Sequence, residues 1–278
     1  MSGAIWLASY PRSGNTWTRS ALLSLRSDDG AVTFSELSRF GRMATGRGLF
    51  DDWLLMDSAL LSVAQIEALR PEFHDHHFAA SNPPRLCKVH DPWFRAASGR
   101  PVFDRAHTTA AIYLVRDPRD VAISWARFTS RTIDAAIAML ADPTAMLGAG
   151  RRGGSDHIPQ RLGNWSGHVT SWVDDSGLSP LVVRFEDMLA NVGTALAGIA
   201  SHIGWPVDRE AIRRATAATR FDRLAAQEQA LGFGETPESA ERFFVSGKAG
   251  GWRDVLTAGQ AARVERDHRQ VMERLGYL

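Results

Sequence analysis

The chain alternates short apolar runs with helix-like stretches. Ile5-Trp6-Leu7-Ala8 is followed by Pro11 and Gly14, which punctuate a tight loop, and then by a helix through Arg19–Leu25. Arg85-Leu86-Cys87-Lys88-Val89-His90 reads as a strand that ends in polar residues, before Asp91-Pro92. Ala110–Val115 runs into Arg116-Asp117-Pro118-Arg119-Asp120 and a helix over Val121–Phe128, with Pro118 suited to its first turn. Leu181–Phe185 leads into a helix beginning near Glu186. Strands that precede helices, with continuous rather than alternating apolar character, predict a parallel sheet covered on both faces. The expected fold is α/β: a single domain over residues 1–278, with a central parallel sheet flanked by helices.

Other stretches are less periodic. Residues 28–84 open on a turn at Asp28-Asp29-Gly30 and contain amphipathic pieces at Phe34–Phe40 and Asp51–Leu61. A helix capped by Ser62 is expected to end at Pro71. Thr129–Gln160 is an insertion with an irregular centre, Asp142-Pro143 and Gly148–Gly154, of the kind that often serves as a binding lid. Leu162–Asp174, Gly198–Gly204, Arg209–Ala218 and Gly259–Leu275 read as helices. Gly247-Lys248-Ala249-Gly250-Gly251-Trp252-Arg253 is glycine-rich and basic, suited to wrapping a phosphate with backbone N–H groups.

Composition narrows the function classes. The 278 residues are 44% hydrophobic and 23% charged, enough for a full core. A net charge of +1 argues against a general nucleic-acid binder. Cys87 is the only cysteine, so there is no internal disulfide and no cysteine metal cluster, which fits a reducing compartment. No apolar run approaches the ~20 residues of a membrane span, and no signal peptide is visible. A cytoplasmic protein without nucleic-acid or membrane partners is expected. His74-Asp75-His76-His77 has metal-ligand residue types but no second ligand group, so a solvated turn is the reading there. Asn164-Trp165-Ser166 matches a glycosylation sequon by pattern only.

The candidate chemistry begins at the first loop. Amides that converge on a helix N-terminus make an anion site. Arg12 adds a cation, Ser13 and Thr16 add hydroxyls, and Ser13, Asn15 and Thr16 are residue types that bond backbone groups at a helix start. The expected ligand is a phosphate or sulfate. A nucleotide P-loop needs Gly, four residues, then Gly-Lys-Ser/Thr, and here Gly14 is alone and no lysine follows it.

Tyr10-Pro11-Arg12-Ser13-Gly14-Asn15-Thr16-Trp17 resembles the 5′-phosphosulfate loop of cytosolic-type sulfotransferases, usually Tyr-Pro-Lys-Ser-Gly-Thr-Thr-Trp. Cys87–His90 resembles that family's Lys-Thr-His, Ile112–Ser124 its 3′-phosphate strand and helix, and Gly247–Arg253 its glycine loop. Phe185-Glu186-Asp187-Met188 is similar to Tyr-Glu-Asp-Met, and Thr219-Arg220-Phe221 to Thr-Ser-Phe. The resemblance runs in order over nearly the whole chain.

What it implies is a co-substrate, 3′-phosphoadenosine 5′-phosphosulfate (PAPS), whose sulfuryl group passes in line to a hydroxyl of a small-molecule acceptor without a metal. Arg12, where the family has lysine, would stabilise the leaving group, because a guanidinium forks two oxygens but does not give up its proton. Ser13, Asn15, Thr16 and the amides from Gly14 to Trp17 would hold the 5′-phosphate. Arg116 and Ser124 would hold the 3′-phosphate, with Gly247 and Lys248 nearby. Trp17 and Phe221 match the positions that sandwich adenine, beside Thr219. His90 would be the general base and Lys88, two residues earlier on the same strand face, would touch the sulfuryl oxygens. Trp53, Trp93, Phe94 and the insertion would shape the acceptor pocket.

Departures from the family pattern are specific. Val245-Ser246 stands where an Arg-Lys pair precedes the glycine loop, with Lys248 or Arg253 as candidate replacements. Gly251 replaces an aspartate and Phe185 a tyrosine. The dimer motif survives only as Arg253 and Thr257, with Ala258 and Ala262 at its other positions, which leaves the oligomeric state open. Two rivals remain. A nucleotide or small-molecule kinase on a related P-loop fold would need a Walker lysine and Mg²⁺ ligands. A non-catalytic nucleotide-binding module would have no need of His90 and Lys88.

Overall fold

The computed structural model describes residues 3–27, 29–79, 81–148 and 156–278. Asp28 and residues 149–154 of the predicted irregular centre lie outside them. Among the described residues six strands form: β1 Ala4–Ser9, β2 Arg85–Val89, β3 Thr108–Val115, β4 Met146–Leu147, β5 Gln160–Arg161 and β6 Leu181–Arg184. The central parallel sheet runs β2-β1-β3-β6, flanked by helices, as the apolar runs predict. β1 is buried along its whole length. It pairs with β2 in parallel from Ala4 opposite Arg85 to Ala8 opposite Val89.

The contacts of the chain gather into two compact units. One unit holds residues 1–10, 41–113 and 142–182. Its core forms around Trp6, whose ring meets Phe78 and Phe103 edge-on and whose indole N–H donates to Thr108 Oγ1 at 2.8 Å. The other unit holds residues 11–40, 114–141 and 183–278. It contains the helices Asn15–Arg26, Pro118–Thr129 and Ala258–Arg274. It also contains an aromatic cluster in which Phe34, Leu37, Leu224 and Phe244 are buried.

Several sequence expectations are corrected or refined. The helix that Ser62 caps does not end at Pro71 but runs from Val63 to Phe78. A proline removes one backbone bond, and burial of Phe73, His74 and Phe78 beyond it carries the helix onward. His74–His77 is therefore helical, not a solvated turn. His74 Nδ1–H donates to the Val102 carbonyl at 2.7 Å, and Asp75 bonds Arg100. No group of three or more metal-ligand side chains forms among the described residues. The insertion is partly regular, with a helix Ile133–Ala141 and β4 paired antiparallel to β5. The stretch read as a helix over Leu162–Asp174 forms as Trp165–Thr170 and a wider π turn, Ser171–Asp175. Among the described residues no helix is long and apolar enough to cross a membrane.

Buried histidines make stability depend on pH. Burial lowers His74 to about 3, and lowers His168 and His268 to about 4. Between those values and the ordinary 6.5 the unfolded chain binds more protons than the folded one. Stability is thus complete above about pH 6.5 and falls as pH drops toward 4, by up to roughly 1.4 kcal/mol per pH unit for each histidine. Urea titrations at pH 7.5, 6 and 5 are expected to give steadily lower midpoints. A flat profile over that range contradicts the assignment of these three rings as neutral.

Candidate active site

The loop after β1 leaves a helix N-terminus open. Gly14, at φ 95°, occupies the cap position of the helix Asn15–Arg26 without any side-chain cap bond. A Cβ there would lie 2.8 Å from the Phe185 ring, so glycine is required by both conformation and space. The expectation that Ser13 and Thr16 bond backbone groups at this start is corrected. Ser13 Oγ is buried without a partner among the described residues. Thr16 Oγ1 instead donates to Glu235 Oε2 at 3.1 Å. Glu235 also accepts from Arg19 Nη2 at 2.6 Å. A helix start without a side-chain cap from its cap residue, with the dipole's positive end beside it, suits an external anion.

Arg12 has a left-handed backbone, φ 69°, uncommon for a residue with a side chain and characteristic of functional loops. Its guanidinium contacts residues of other segments. Nε donates to Ser124 Oγ at 3.0 Å and Nη2 to the Phe243 carbonyl at 3.2 Å. The flat group is stacked between Phe128 and Phe243, 4.4 Å from each ring centre. Burial, and then the neighbouring charge of Arg116, lower its pKa to about 10.

Arg116 ties the same region together. Nη1 donates to the Arg12 carbonyl at 3.2 Å and Nη2 to the Lys248 carbonyl at 2.9 Å, while Nε is buried without a partner among the described residues. Asp120 anchors the glycine-rich segment by accepting the amides of Gly250 at 2.7 Å and Trp252 at 2.9 Å. Gly247, at φ 57°, lies against Phe221, whose ring would collide with a Cβ there. Lys248 contributes its carbonyl to Arg116, and the residue is exposed. Trp17 donates its indole N–H to the Thr219 carbonyl at 2.9 Å. Thr219 itself is turned inward, its hydroxyl donating to the Ala215 carbonyl at 2.7 Å. Thr219 thus positions Trp17 through its carbonyl.

Lys88 and His90 stand in the other unit. His90 Nδ1 lies 2.9 Å from the Ser9 carbonyl. Nδ1 therefore donates, and in the neutral ring the lone pair is on Nε2. The backbone at this point is pinned from behind. His168 Nε2–H donates to the His90 carbonyl at 3.0 Å, Tyr113 O–H donates to His168 Nδ1 at 2.8 Å, and Trp172 donates to the Asp91 carbonyl at 2.9 Å. The Asp91 carboxylate holds Arg70 in a fork at 2.7 and 3.0 Å and accepts the Arg161 amide at 3.0 Å. Lys88 is half-buried on β2, whose edge is lengthened by backbone bonds from Lys88 to Arg42 and from Ala44 to Lys88. Of the aromatics expected to shape an acceptor pocket, Phe94 is buried and Trp53 packs on Phe50 and Phe73. Trp93 is half-buried, with its indole N–H on the Phe103 carbonyl at 3.1 Å.

Residues missed by the sequence reading are Glu235, Asp120 as an anchor, and His168. The signal for Asp120 is its place two residues after Pro118, in the first turn of a helix. Glu235 and His168 carry no local signal.

An α/β sheet that feeds an uncapped, glycine-started helix, with arginines gathered beside it, defines a protein that handles phosphate or sulfate esters. A sequence model of the sulfotransferase domain matches residues 2–276, across both units. The chain belongs to the sulfotransferase family. Solved structures are similar over 97% of the chain. Retinol dehydratase in complex with androsterone and the inactive cofactor PAP aligns with a TM-score of 0.63 at 21% identity, over 80% of that chain. Its complex with retinol and PAP gives 0.62 at 22%, over 81%. Mouse sulfotransferase SULT7A1 complexed with PAP gives 0.59 at 18%, over 84%. No functionally curated protein sequence matches the chain.

Proposed function

We propose that the chain, acting as a single cytoplasmic sulfotransferase domain, moves the sulfuryl group of PAPS to the hydroxyl of an apolar small-molecule acceptor. The observation that carries this reading is the uncapped start of the helix Asn15–Arg26 in the same unit as Arg116 and Ser124. One anion suits the helix start and a second suits the arginine, as a nucleotide phosphorylated at both 5′ and 3′ positions requires. Retinol and androsterone bound in similar structures support an apolar alcohol as acceptor.

In this reading Ser13, Thr16 and the amides from Gly14 to Trp17 hold the 5′-phosphosulfate, and Arg116 and Ser124 the 3′-phosphate. Trp17 and Phe221 flank the adenine. His90 Nε2 takes the acceptor's proton as its oxygen forms a bond to sulfur and the bond from sulfur to the phosphate oxygen breaks. The electron pair leaves on the 5′-phosphate. Lys88 bonds the sulfuryl oxygens in flight.

Calorimetry tests the donor. Adenosine 3′,5′-bisphosphate (PAP) is expected to bind roughly ten- to a hundredfold more tightly than AMP, the worth of charge-assisted contacts to the 3′-phosphate. Equal affinity for the two nucleotides removes the sulfotransferase donor from the reading.

A further inference from the structure

We infer that the Glu235 carboxylate is a resident anion of the free chain, and that the donor's 5′ group displaces it from Thr16 and takes over its partner Arg19. This deepens the proposed donor site and rests on the reading of Thr16 as a ligand of the 5′-phosphosulfate. Thr16, Arg19 and Glu235 all lie in one unit.

The contacts put the carboxylate on the donor's hydroxyl. Thr16 Oγ1 donates to Glu235 Oε2 at 3.1 Å, and Arg19 Nη2 donates to Oε1 at 2.6 Å. A threonine hydroxyl has one hydrogen, so it serves the carboxylate or a phosphate oxygen, not both. Two anions on one hydroxyl also repel each other, and more strongly where water is scarce. Thr16 is buried, and the Arg19 side chain is 3% exposed. The two residues are three apart on the helix Asn15–Arg26, so their side chains are neighbours. Helical side chains lean toward the N-terminus, which directs Arg19 toward the helix start. A cation buried this deeply needs a compensating anion. When Glu235 leaves, the anion arriving at Thr16 replaces it.

The surrounding carboxylates single out Glu235. Glu228 and Glu235 both act on the Arg12 charge, and Asp120, Glu186 and Asp117 act on that of Arg116. Glu228 is buried and accepts the Phe243 and Phe244 amides and the Thr236 hydroxyl. Asp120 accepts the amides of Gly250 and Trp252, and Asp117 holds Arg119. Glu186 accepts the Asp117 amide and the Tyr277 hydroxyl. These four are committed to structural partners. Glu235 instead bonds a hydroxyl assigned to the donor, and its side chain is 28% exposed. Its neighbours are held in place: Phe233 packs on Phe34 and Phe243, and Thr236 bonds Glu228. The space beside Gly234 is open, with nothing within 4 Å of a Cβ built there. The Glu235 side chain therefore has a way out to water while the backbone around it stays fixed. The exchange sets a threshold, because a ligand must offer Thr16 and Arg19 more than Glu235 already supplies.

The test pairs removal of the carboxylate with removal of the 5′-phosphate. PAP, AMP and adenosine 3′-phosphate are titrated calorimetrically into the wild-type chain, Glu235→Gln, and Glu235→Gln combined with Arg19→Gln. Glu235→Gln removes the competing charge and is expected to bind PAP and AMP roughly three- to tenfold more tightly. Its affinity for adenosine 3′-phosphate, which has no 5′ anion, should stay within about twofold, and that binding also reports a folded chain. Adding Arg19→Gln is expected to cost roughly tenfold in PAP and AMP affinity, again sparing adenosine 3′-phosphate. A crystal structure of the wild-type chain with PAP needs no variant. In it the Glu235 carboxylate should be off Thr16, with the 5′-phosphate in its place. Glu235→Gln binding PAP no better than the wild type, or a PAP complex in which Glu235 still holds Thr16, overturns the inference and leaves Glu235 a structural partner of Arg19. Equal PAP affinity with and without Arg19→Gln overturns the takeover of Arg19. An equal gain for adenosine 3′-phosphate means that Glu235 repels the whole nucleotide, which also overturns the exchange. If the wild type binds PAP no more tightly than adenosine 3′-phosphate, the fault lies with the reading of Thr16 as a donor ligand, and the inference falls with it.

Discussion

His90→Ala is expected to lower turnover of an aliphatic alcohol roughly 10²–10⁴-fold, with PAP affinity unchanged within about twofold. An aliphatic hydroxyl is a poor nucleophile until its proton leaves, and the residues proposed to hold PAP are in the other unit. The Ser9 carbonyl holds a proton on Nδ1, so the neutral ring has its lone pair on Nε2, as a base needs. The defect should shrink with a nitrophenol, whose hydroxyl is largely ionised without help. That difference between acceptors is what a general base predicts and a merely structural histidine does not. His168→Gln gives a related contrast, because His168 touches the backbone of His90 and not the ring. Normal turnover of the aliphatic alcohol by a folded His90→Ala chain, with PAP still bound, ends the assignment of His90 as base.

The parts of this site that were legible in the sequence are those that a few neighbouring residues decide. β1, the loop and its helix follow from an apolar run, Pro11 and Gly14. Proline and glycine set backbone angles locally, and the structure keeps that order. A strand places alternate residues on one face, and that alone pairs Lys88 with His90 in the sequence. The parts that were not legible depend on partners far along the chain. Arg12 looks like any loop cation until Ser124, 112 residues later, supplies its acceptor. Glu235 sits in a Gly-Phe-Gly-Glu-Thr-Pro stretch that reads as a polar turn, yet Thr16 and Arg19 both bond it. Thr219 fits a family position, and its hydroxyl donates to the Ala215 carbonyl of the helix before it. Pro71 was misjudged for a related reason. Propensity ends the helix there, and burial of the following turn overrides propensity.

Asp91→Asn is expected to reduce folding stability by about 3–5 kcal/mol, a large share of the roughly 5–15 kcal/mol that holds a domain. Asp91 and Arg70 both have side chains with 0% exposure, joined in a fork at 2.7 and 3.0 Å. Burial pushes the Asp91 carboxyl up, and the Arg70 charge and bonds pull it back toward the ionised form. Asparagine keeps the shape but removes the charge, leaving the Arg70 guanidinium buried and uncompensated. The rings of Phe94 and Phe103, 5.5 and 5.7 Å from that guanidinium, offer only a weak substitute. Replacing both partners by apolar residues, Arg70→Met with Asp91→Leu, removes both charges together and should recover much of the loss. The recovery should stay incomplete, because the Arg161 amide also bonds Asp91 and would lose its acceptor. Urea unfolding of the single and double variants measures this. A loss below about 1 kcal/mol for Asp91→Asn means that the pair does not stabilise this unit and that the apolar core around Trp6 does so without it. A double variant as unstable as the single one would instead place the cost in the lost Arg161 bond. Because Asp91 follows His90 directly, the same variants report whether the buried pair also holds the base. In that case turnover falls in the fraction that remains folded, while PAP affinity, which resides in the other unit, does not.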